Sequence, residues 1–411
     1  MVTEIQAAVV VALGMAAATW AQVPSDATVI CWGRDLYGDT VVPRPLAGVR
    51  MVAAGWFHSA AIREDGRIIC WGAGAPGSTG YPNFGQSAPP ATAADFISSG
   101  AAHVVALSSG AVVCWGDNSQ GQCNVPQGLG SIGSVAAGGV HSLALRTCCG
   151  QSFAWGNNHY GQCNVPPYLA GALRLAAGYY HSIVHFNDGH IAIWGAGQTA
   201  SGSFPDFGQA IVPSDLGSVS AITAGWYHTI AVLANGSVRC WGSNSSGQCD
   251  VPQSIGPVVQ AAGGNAHTVV LLADGSVRAW GDDSYGQSTV PQSVRKALWV
   301  AAGSQHTVVA YDNCPGTPNP DQGDCNSDGI GDACEIAEGS IGDINRNGIP
   351  DSCECLGDVY LDSQINGSDL GALLSQWGRS AASTTADFNA DGRVDGADLG
   401  IMLINWGLCP N

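Results

Sequence analysis

The 411-residue sequence has little charge, since 11% of its residues are Asp, Glu, Lys or Arg and Lys296 is its one lysine. Acidic residues outnumber Lys and Arg by 32 to 14, which gives a net charge of −18. Such a chain repels phosphates and anionic membranes, so we expect no nucleic acid partner. Residues 312–411 hold 17 of the acids and 3 arginines, so cations are expected to gather there.

Long hydrophobic runs are also missing, because no stretch reaches the roughly 18 apolar residues of a membrane span. We therefore expect no membrane insertion. The apolar run 7–18 and the small residues after it are typical of a signal peptide over residues 1–21, although the usual positive charge before the run is absent. The 15 cysteines suit an oxidising compartment. These features predict a secreted, extracellular protein, with attachment to a cell surface left open.

The pair Trp-Gly recurs seven times between residues 32 and 281, at intervals of 39 to 47 residues. A glycine-rich turn follows each pair, and then a small-residue segment with a histidine, as in AAGWFHS at 53–59. Two short apolar runs around a turn lead to the next Trp-Gly, which is typical of a β-hairpin. About four short strands per unit predict a propeller blade. The seven histidines are His58, His103, His141, His181, His228, His267 and His306.

The repeats are incomplete at both ends. The run 27–33 has a Trp-Gly pair with no hairpin partner before it, and 306–312 has a histidine with no Trp-Gly after it. Pairing these two runs would complete a seventh blade and cover two open strand edges. The sequence thus predicts a mainly β fold, in which residues 27–312 form a seven-bladed β-propeller closed by its N- and C-terminal strands.

The AAG-x-x-H-S, D-G and W-G-x-N-x-x-G-Q signatures resemble those of the regulator-of-chromosome-condensation (RCC1) family of propellers. The short units with Val-Pro endings are most similar to its secreted bacterial branch, the β-lactamase inhibitory protein II branch. That resemblance implies a binding protein. The nucleotide-exchange activity of the nuclear branch is not expected, because a signal peptide and short loops do not suit it.

Two variable residues precede each repeat histidine, and in three repeats both are aromatic. The resemblance implies that these turns form a protein-binding face, and rigid aromatic side chains are typical of binding hot spots. The alternative is that one aromatic of each pair packs between blades. The repeated tryptophans are expected in the blade cores, and the histidines as hydrogen-bonded structural groups rather than metal ligands. The predicted ligand-binding residues are Trp56, Phe57, Tyr179, Tyr180, Trp226, Tyr227 and Asn265.

Two repeats carry cysteines nine residues apart at equivalent positions. These are Cys114 with Cys123 and Cys240 with Cys249. Either a disulfide crosses each turn or the thiols are separate and buried. Because the total of 15 is odd, at least one thiol stays free or pairs between chains.

The acidic segment 313–354 contains two loops with oxygen ligands at the spacing of a calcium loop. The alternative is a solvated acidic linker. The segment resembles thrombospondin type 3 repeats, which implies that calcium replaces a hydrophobic core and favours a Cys314–Cys334 disulfide. The two ligand sets are Asp324, Asn326, Asp328, the Ile330 carbonyl, Asp332 and Glu335, and Asp343, Asn345, Asn347, the Ile349 carbonyl, Asp351 and Glu354.

Residues 355–411 contain two loop–helix units offset by 29 residues, which resemble a type I dockerin. The resemblance implies a calcium-folded helical module and a cohesin-like receptor, although Gly367-Ser368 and Gly396-Ala397 depart from the usual recognition pairs. A disulfide between Cys355 and Cys409 would clasp the module. The first loop has Tyr360 and Ser363 at two ligand and turn positions, so its site is expected to be weak or empty. The ligands would be Asp358, Asp362, Asn366 and Asp369 in the first loop, and Asp387, Asn389, Asp391, the Arg393 carbonyl, Asp395 and Asp398 in the second.

The repeats contain no nucleophile elbow, HExxH motif or paired carboxylates, so no catalytic residue is predicted. We expect a secreted, monomeric, non-enzymatic protein with calcium as its cofactor. Its propeller would bind an extracellular protein or glycan, and its C-terminal region would mediate attachment. The alternatives are a polysaccharide lyase or hydrolase displayed through the dockerin-like module, and a structural surface or matrix protein.

Overall fold

The computed structural model describes residues 27–43, 46–146, 148–167, 169–294, 296–314, 317, 323–326, 330–344, 348–360, 364–379 and 385–408. The chain divides into two compact units, Met1–Asp312 and Asn313–Asn411. The predicted signal peptide lies outside the described residues. Within those ranges, no helix is long and apolar enough to cross a membrane.

The first unit is mainly β. Its described residues form seven antiparallel three-stranded sheets. In chain order the strands are β1 (Ala27–Gly33), β2 (Val49–Ala54), β3 (His58–Arg63), β4 (Ile68–Gly72), β5 (Phe96–Ser99), β6 (His103–Ser108), β7 (Ala111–Gly116), β8 (Ser134–Ala137), β9 (His141–Arg146), β10 (Gln151–Gly156), β11 (Ala172–Ala177), β12 (His181–Phe186), β13 (Ile191–Gly195), β14 (Val219–Ala224), β15 (His228–Leu233), β16 (Val238–Gly242), β17 (Val258–Gly263), β18 (His267–Leu272), β19 (Val277–Gly281), β20 (Ala297–Ala302) and β21 (His306–Asp312).

Six sheets are made of consecutive strands, in the orders β2-β3-β4, β5-β6-β7, β8-β9-β10, β11-β12-β13, β14-β15-β16 and β17-β18-β19. The seventh has the order β1-β21-β20 and joins the two ends of the unit. Strand β1 pairs with β21 from Ala27↔Asp312 to Gly33↔His306. The pairing of the first and last strands is therefore as predicted.

The expectation of about four strands per unit is wrong, because each sheet in the described residues has three. The segment after Trp-Gly satisfies its polar groups locally instead of forming a fourth strand. In the loop after β7, the amide of Cys123 donates to the Asn118 side chain at 2.9 Å, and the amide of Gln120 donates to Gln122 Oε1 at 2.9 Å. Backbone groups that are bonded within a turn are not available for a strand ladder.

The middle strand of each sheet starts at a repeat histidine and is buried along nearly its whole length. Neighbouring sheets pack on both of its faces, which is why its sequence is continuously apolar rather than alternating. One cluster, for example, joins Val105 and Leu107 of one sheet to Val135, Ala144 and Trp155 of the next. The core therefore lies between successive sheets, and four of the seven repeat tryptophans are buried in it: Trp71, Trp155, Trp194 and Trp280.

Seven backbone hydrogen bonds link the turns that follow the first strand of each repeat. Each bond runs from one sheet to the next in chain order, and the last returns to the first sheet. In each bond a backbone amide donates to a backbone carbonyl over 2.9–3.2 Å. From donor to acceptor they are Trp56→Ala101, Ala101→Gly139, Gly139→Gly178, Tyr179→Trp226, Trp226→Gly264, Asn265→Ser304 and Ser304→Gly55.

The second unit contains short helices and little sheet in its described residues. Its elements are α1 (Asp332–Glu338), a 3₁₀ turn (Asp351–Cys353), β22 (Gln364–Ile365), α2 (Gly367–Ser375), α3 (Gly396–Ile404) and β23 (Gly407–Leu408). Capping boxes begin the two longer helices, with Asn366 and Asp369 at α2 and Asp395 and Asp398 at α3. A small core with Ile365, Leu373, Phe388, Val394 and Met402 lies beside them.

Candidate functional site

Trp56, Tyr179 and Trp226, which follow strands β2, β11 and β14, form one cluster although they come from three different sheets. Ring centroids lie 5.0 Å apart for Trp56 and Trp226, and 4.9 Å apart for Tyr179 and Trp226. We call these three residues the inner aromatic cluster. The hydrogen bonds that link the turns of successive sheets bring them together. They pack on one another and stay half-buried.

The second aromatic of two pairs, Tyr180 and Tyr227, contacts Phe204 from the long loop after β13. Ring centroids lie 6.0 Å apart for Tyr180 and Phe204, and 5.6 Å apart for Tyr227 and Phe204. The Phe204 side chain is 60% exposed. We call Tyr180, Tyr227 and Phe204 the outer aromatic patch. Tyr180 also lies 4.6 Å from Tyr179, so the patch and the inner cluster form one surface.

Phe57 and Asn265 occupy different positions from the patch. Phe57 stacks on Trp56 at 5.1 Å and contacts Tyr37 at 5.1 Å. Asn265 is joined through its amide to the Ser304 carbonyl. Six of the seven residues predicted for a ligand face are thus aromatic neighbours, whereas Asn265 contributes to the ring of backbone bonds.

Phe204 was missed by the sequence reasoning because it lies in a loop rather than beside a repeat histidine. The interval of 47 residues between Trp194 and Trp241, the longest in the series, marks this insertion. The segment FPDFGQ at 204–209 also matches YPNFGQ at 81–86, where Tyr81 and Phe84 lie 6.1 Å apart. This motif is the signal that could have located the residue.

The tyrosines of this surface are uncharged hydrogen-bond donors. Burial raises the pKa of Tyr179 to about 12, and it raises the pKa of Tyr227 by a larger amount. Neutral phenols can stack on a ligand and donate a hydrogen bond to it.

Six of the seven repeat histidines place Nε2 within 2.8–3.2 Å of a hydroxyl oxygen in the next sheet. Each hydroxyl also lies 2.7–2.8 Å from a backbone carbonyl, which can only accept. The hydroxyl proton therefore goes to the carbonyl, and Nε2 must carry its own proton. Burial lowers the pKa of these histidines to about 3 or 4. The same buried contact in six repeats supports the predicted structural role.

His58 is the exception, because the next sheet has Val104 where the others have Ser or Thr. His58 is fully buried, and neither of its ring nitrogens has a hydrogen-bond partner among the described residues. Burial lowers its pKa to about 3. A Cβ on Gly55 would lie 2.0 Å from His58 Cε1, so glycine is required beside the imidazole.

Asp39, His306 and Ser59 are arranged like a catalytic triad, and their environment argues against that role. His306 lies 3.3 Å from Asp39 Oδ2 and 3.0 Å from Ser59 Oγ. However, Ser59 is fully buried, and its hydroxyl donates to the Asp39 carbonyl at 2.8 Å. A nucleophile must be accessible and must give its proton to the base. The group is one copy of the repeated histidine–hydroxyl contact.

The two predicted calcium loops of residues 313–354 share a geometry with a 19-residue offset. The amides of Asp332 and Asp351 donate to Gly323 and Gly342 carbonyls, both at 2.8 Å. Asp332 Oδ1 accepts from the amide of Cys325 at 3.0 Å, and Asp351 Oδ1 accepts from the amide of Ile344 at 2.9 Å. In the first loop Asn326 Nδ2 lies 3.2 Å from Glu335 Oε1. The predicted ligands Asp328, Asn345 and Asn347 lie outside the described residues.

The two loop–helix units of residues 355–411 also repeat their contacts. Asp369 and Asp398 are fully buried. Asp369 accepts from the amides of Val359 and Asn366, and Asp398 from those of Phe388 and Asp395, at 2.7–2.9 Å. In the second loop, Asp387 accepts from the amides of Asp391 and Gly392. In the first, Tyr360 is 62% exposed, and Asp362 lies outside the described residues.

Disulfides join Cys114 to Cys123, Cys240 to Cys249 and Cys314 to Cys334. A fourth, between Cys325 and Cys353, was missed and links the two acidic loops. The sulfurs of Cys325 and Cys353 and a carboxylate oxygen of Asp332 lie within 4.8 Å of one another, but two sulfurs that are bonded to each other are not thiolate ligands. Cys355 is in a disulfide, and Cys409 lies outside the described residues. Within those residues Cys31, Cys70, Cys148, Cys149 and Cys163 are free thiols.

Three segments of the chain, 49–75, 219–248 and 258–287, match the family described as Regulator of chromosome condensation (RCC1) repeat. Prp20p from Saccharomyces cerevisiae has a similar structure, with a TM-score of 0.58 and 17% identity over 70% of this chain and 91% of that one. Yeast RCC1 (Prp20) bound to Kap60 gives 0.57 and 18%, over 70% and 89%. Human WBSCR16 gives 0.53 and 18%, over 70% and 99%. No curated protein matches the chain. Three segments of the first unit therefore match RCC1 repeats, and the fold of this unit is similar to that of RCC1-like propellers.

Proposed function

We propose that this chain is a secreted, non-enzymatic binding protein whose aromatic surface recognises an extracellular protein or glycan. In this proposal the seven sheets are the blades of a closed propeller. The pairing of β1 with β21 and the hydrogen bonds that return to the first sheet support closure. RCC1-like propellers commonly bind proteins: yeast Prp20 is bound by Kap60 in one similar structure, and its binding properties to Gsp1p and histones are described with another.

The observation that carries the proposal is the continuous surface made by the inner aromatic cluster and the outer aromatic patch. Its members come from distant parts of the chain, yet adjacent rings lie 4.6–6.4 Å apart. Ring packing holds them rigid, so little side-chain entropy is lost when a ligand covers them. Large apolar surface at one site is typical of protein interfaces and of sugar-stacking platforms.

The second unit would serve for attachment, ordered by calcium. Its buried carboxyl groups Asp332, Glu335, Asp369 and Asp398 supply the hard oxygen ligands that calcium prefers. The repeated amide contacts of Asp332 and Asp351 fit two equivalent loops. When bound, calcium would neutralise the clustered carboxylates. By resemblance to dockerins, α2 and α3 would contact a cohesin-like receptor.

A screen of secreted proteins and glycans tests the aromatic surface. The wild type is compared with Phe204→Ala, Tyr227→Ala and a Trp56→Ala/Trp226→Ala double variant. Trp406→Ala is the matched control, because Trp406 is 46% exposed and lies in the second unit. We expect ligands of the wild type to lose affinity by about tenfold or more for the aromatic variants and to be unaffected by the control. If all variants retain binding, the proposal that the aromatic surface binds the ligand is refuted. Turnover of any glycan would favour the displayed-enzyme alternative.

A further inference from the structure

Two neighbouring cysteines lie in the turn of the hairpin that joins β9 to β10. Cys148 and Cys149 are free thiols, and both residues are exposed. Their Sγ atoms are 3.4 Å apart. We call these two residues the hairpin dithiol. The turn follows the end of β9 that lies opposite to His141. The hairpin dithiol is therefore separate from the aromatic pairs, which precede the repeat histidines, and its chemistry does not depend on what the aromatic surface binds.

The residue before the glycine of a hairpin turn supplies a hydrogen-bond acceptor in four other repeats. Its side-chain oxygen accepts from the amide two residues later, at 2.9–3.1 Å. These residues are Asp65, Asp188, Asn235 and Asp274. Cys149 stands in the same place before Gly150, so its sulfur replaces that oxygen. Because an N–H group aimed at this place stabilises a negative charge there, the turn suits a thiolate at Cys149.

The two thiols of the hairpin dithiol differ in acidity. Hydrogen bonds from the Gln151 amide and from the Cys148 thiol lower the pKa of Cys149. The same contact between the two sulfurs raises the pKa of Cys148, whose S–H group is the donor. The S–H group of neutral Cys149 makes a long contact of 3.9 Å with the Arg146 carbonyl. Cys149 therefore ionises first, and a thiolate is the form that attacks a disulfide.

The other free thiols among the described residues are held in less reactive states. Burial raises the pKa of Cys31 and of Cys70, and it raises the pKa of Cys163 to about 11. A neutral thiol is a poor nucleophile. Of these five thiols, the exposed pair is therefore where rapid reaction with a disulfide in solution is expected.

We propose that the hairpin dithiol is a thiol–disulfide exchange site whose substrate is an accessible disulfide, RS–SR. The Cys149 thiolate attacks one sulfur of the substrate, so that a bond from Cys149 to that sulfur forms and RS⁻ leaves and takes up a proton. Cys148 then loses its proton, and its sulfur attacks Cys149 Sγ and displaces the second RS⁻. The substrate is reduced to its thiols, and the cysteine pair is oxidised to a disulfide between neighbouring residues.

The oxidised pair is expected to be easily reduced again. Neighbouring Cα atoms are about 3.8 Å apart across a trans peptide, whereas a relaxed disulfide has its Cα atoms roughly 4.4–6.8 Å apart. A disulfide with this geometry is strained, and strained, exposed disulfides are the labile ones. A thiol in solution can therefore reopen the pair, which allows the site to react repeatedly.

Reaction of the folded full chain with excess oxidised glutathione at pH 7 tests this proposal. The chain is first reduced briefly under native conditions, and the products are followed by mass spectrometry with peptide mapping. We expect the wild type to release both halves of the substrate and to close Cys148 to Cys149. Cys148→Ser should stop after the first step, with glutathione bound to Cys149. Cys149→Ser should react at least about tenfold more slowly. Cys163→Ser is the matched control and should behave as the wild type.

Two results would overturn the proposal. One is a Cys149→Ser variant that reacts as fast as the wild type, because Cys149 would then not be the nucleophile. The other is a wild type that keeps glutathione bound as Cys148→Ser does, because the two sulfurs would then not act together. The turn is expected to accept serine, since Ser108 and Ser109 precede Gly110 in another hairpin. Circular dichroism checks that each variant is folded.

Discussion

At the scale of single residues, His58 differs from the other repeat histidines by one missing hydroxyl. Because Val104 stands where the other sheets have Ser or Thr, both ring nitrogens of a buried imidazole lack a partner among the described residues. A buried donor without a partner costs about 1–3 kcal/mol. Val and Thr have nearly the same shape, so the defect can be repaired without repacking.

Val104→Thr is therefore expected to stabilise the first unit by about 1 kcal/mol. The new hydroxyl would donate to the Gln86 carbonyl, which already accepts from Trp115 Nε1 at 3.0 Å, and would accept from His58 Nε2. Urea unfolding measures the change. The reverse substitution, Thr268→Val, removes the same contact from His228 and should destabilise by about 1–3 kcal/mol. Equal midpoints for Val104→Thr and the wild type would contradict the repair.

The seven repeat histidines predict a pH-dependent stability. Their pKa is about 3 or 4 in the fold, against 6.5 when exposed. The unfolded chain thus binds more protons below pH 6.5, so stability is complete above that pH and falls as the solution is acidified. Each proton taken up contributes a slope of about 1.4 kcal/mol per pH unit.

Urea midpoints at pH 7, 6 and 5 check this dependence before most carboxylates titrate. The midpoint should fall steadily toward pH 5. His190→Gln is the control, because the His190 side chain is 82% exposed and its replacement leaves the seven buried repeat histidines in place. A midpoint that stays flat from pH 7 to pH 5 would show that the buried histidines are not neutral groups forced to charge on unfolding.

At the scale of elements, the sequence predicts most of the strands. Trp-Gly, the repeat histidine and the hairpin turn between them recur with enough regularity to locate the middle strand and the Trp-Gly strand of every repeat, and the partnership of β1 with β21. The number of strands per sheet was not predictable in the same way. The Asn118 and Gln122 side chains satisfy the backbone of the loop after β7. Both belong to the repeated W-G-x-N-x-x-G-Q signature, which marks a turn but does not tell whether a strand follows it.

The candidate site was predicted in part, because the repeat pattern shows the aromatic pairs but not which of them are in contact. The aromatic pairs are visible as variable positions before the repeat histidines, so the sequence identified Trp56, Tyr179 and Trp226. That these three meet depends on the hydrogen bonds between the turns of successive sheets, which bring together distant parts of the chain. Phe204 reaches the same surface from an insertion, where the repeat pattern gives no position for it.

The loops that follow the Trp-Gly strands allow a test of which positions are equivalent in different repeats. Cys114–Cys123 and Cys240–Cys249 span equivalent turns, with Cα atoms 5.1 and 5.0 Å apart. The corresponding positions in another repeat are Ala154 and the free thiol Cys163. Ala154→Cys should therefore form a third such disulfide. Closing a loop of this length contributes about 2–3 kcal/mol in the chain-entropy description.

Thiol titration of the denatured, unreduced Ala154→Cys variant should find one free thiol fewer than in the wild type. The thermal midpoint should rise, and a reducing agent should cancel the rise. An extra free thiol instead of a missing one would mean that the two positions are not equivalent, and that the loop after β10 differs from the other two.

At the scale of the whole molecule, the two units are stabilised by different means. The first has six apolar clusters between its sheets, whereas a single small cluster is found among the described residues of the second. The second unit also carries most of the chain's negative charge. Carboxylates held close together repel one another unless a cation neutralises them, so the stability of this unit should depend on the solution's divalent ions.

We predict that a calcium chelator unfolds residues 313–411 and leaves the first unit intact, because metal binding supplies folding free energy only where the ligands are. Limited proteolysis measures protection of the second unit, and circular dichroism follows the β signal of the first. Asp387→Asn should weaken calcium binding by removing a ligand charge, whereas Asp274→Asn, in an exposed hairpin turn of the first unit, should not. Equal protease protection with and without chelator would refute the prediction. Equally strong protection would show that the acidic loops fold without a cation, and equally weak protection would show that they are a solvated linker.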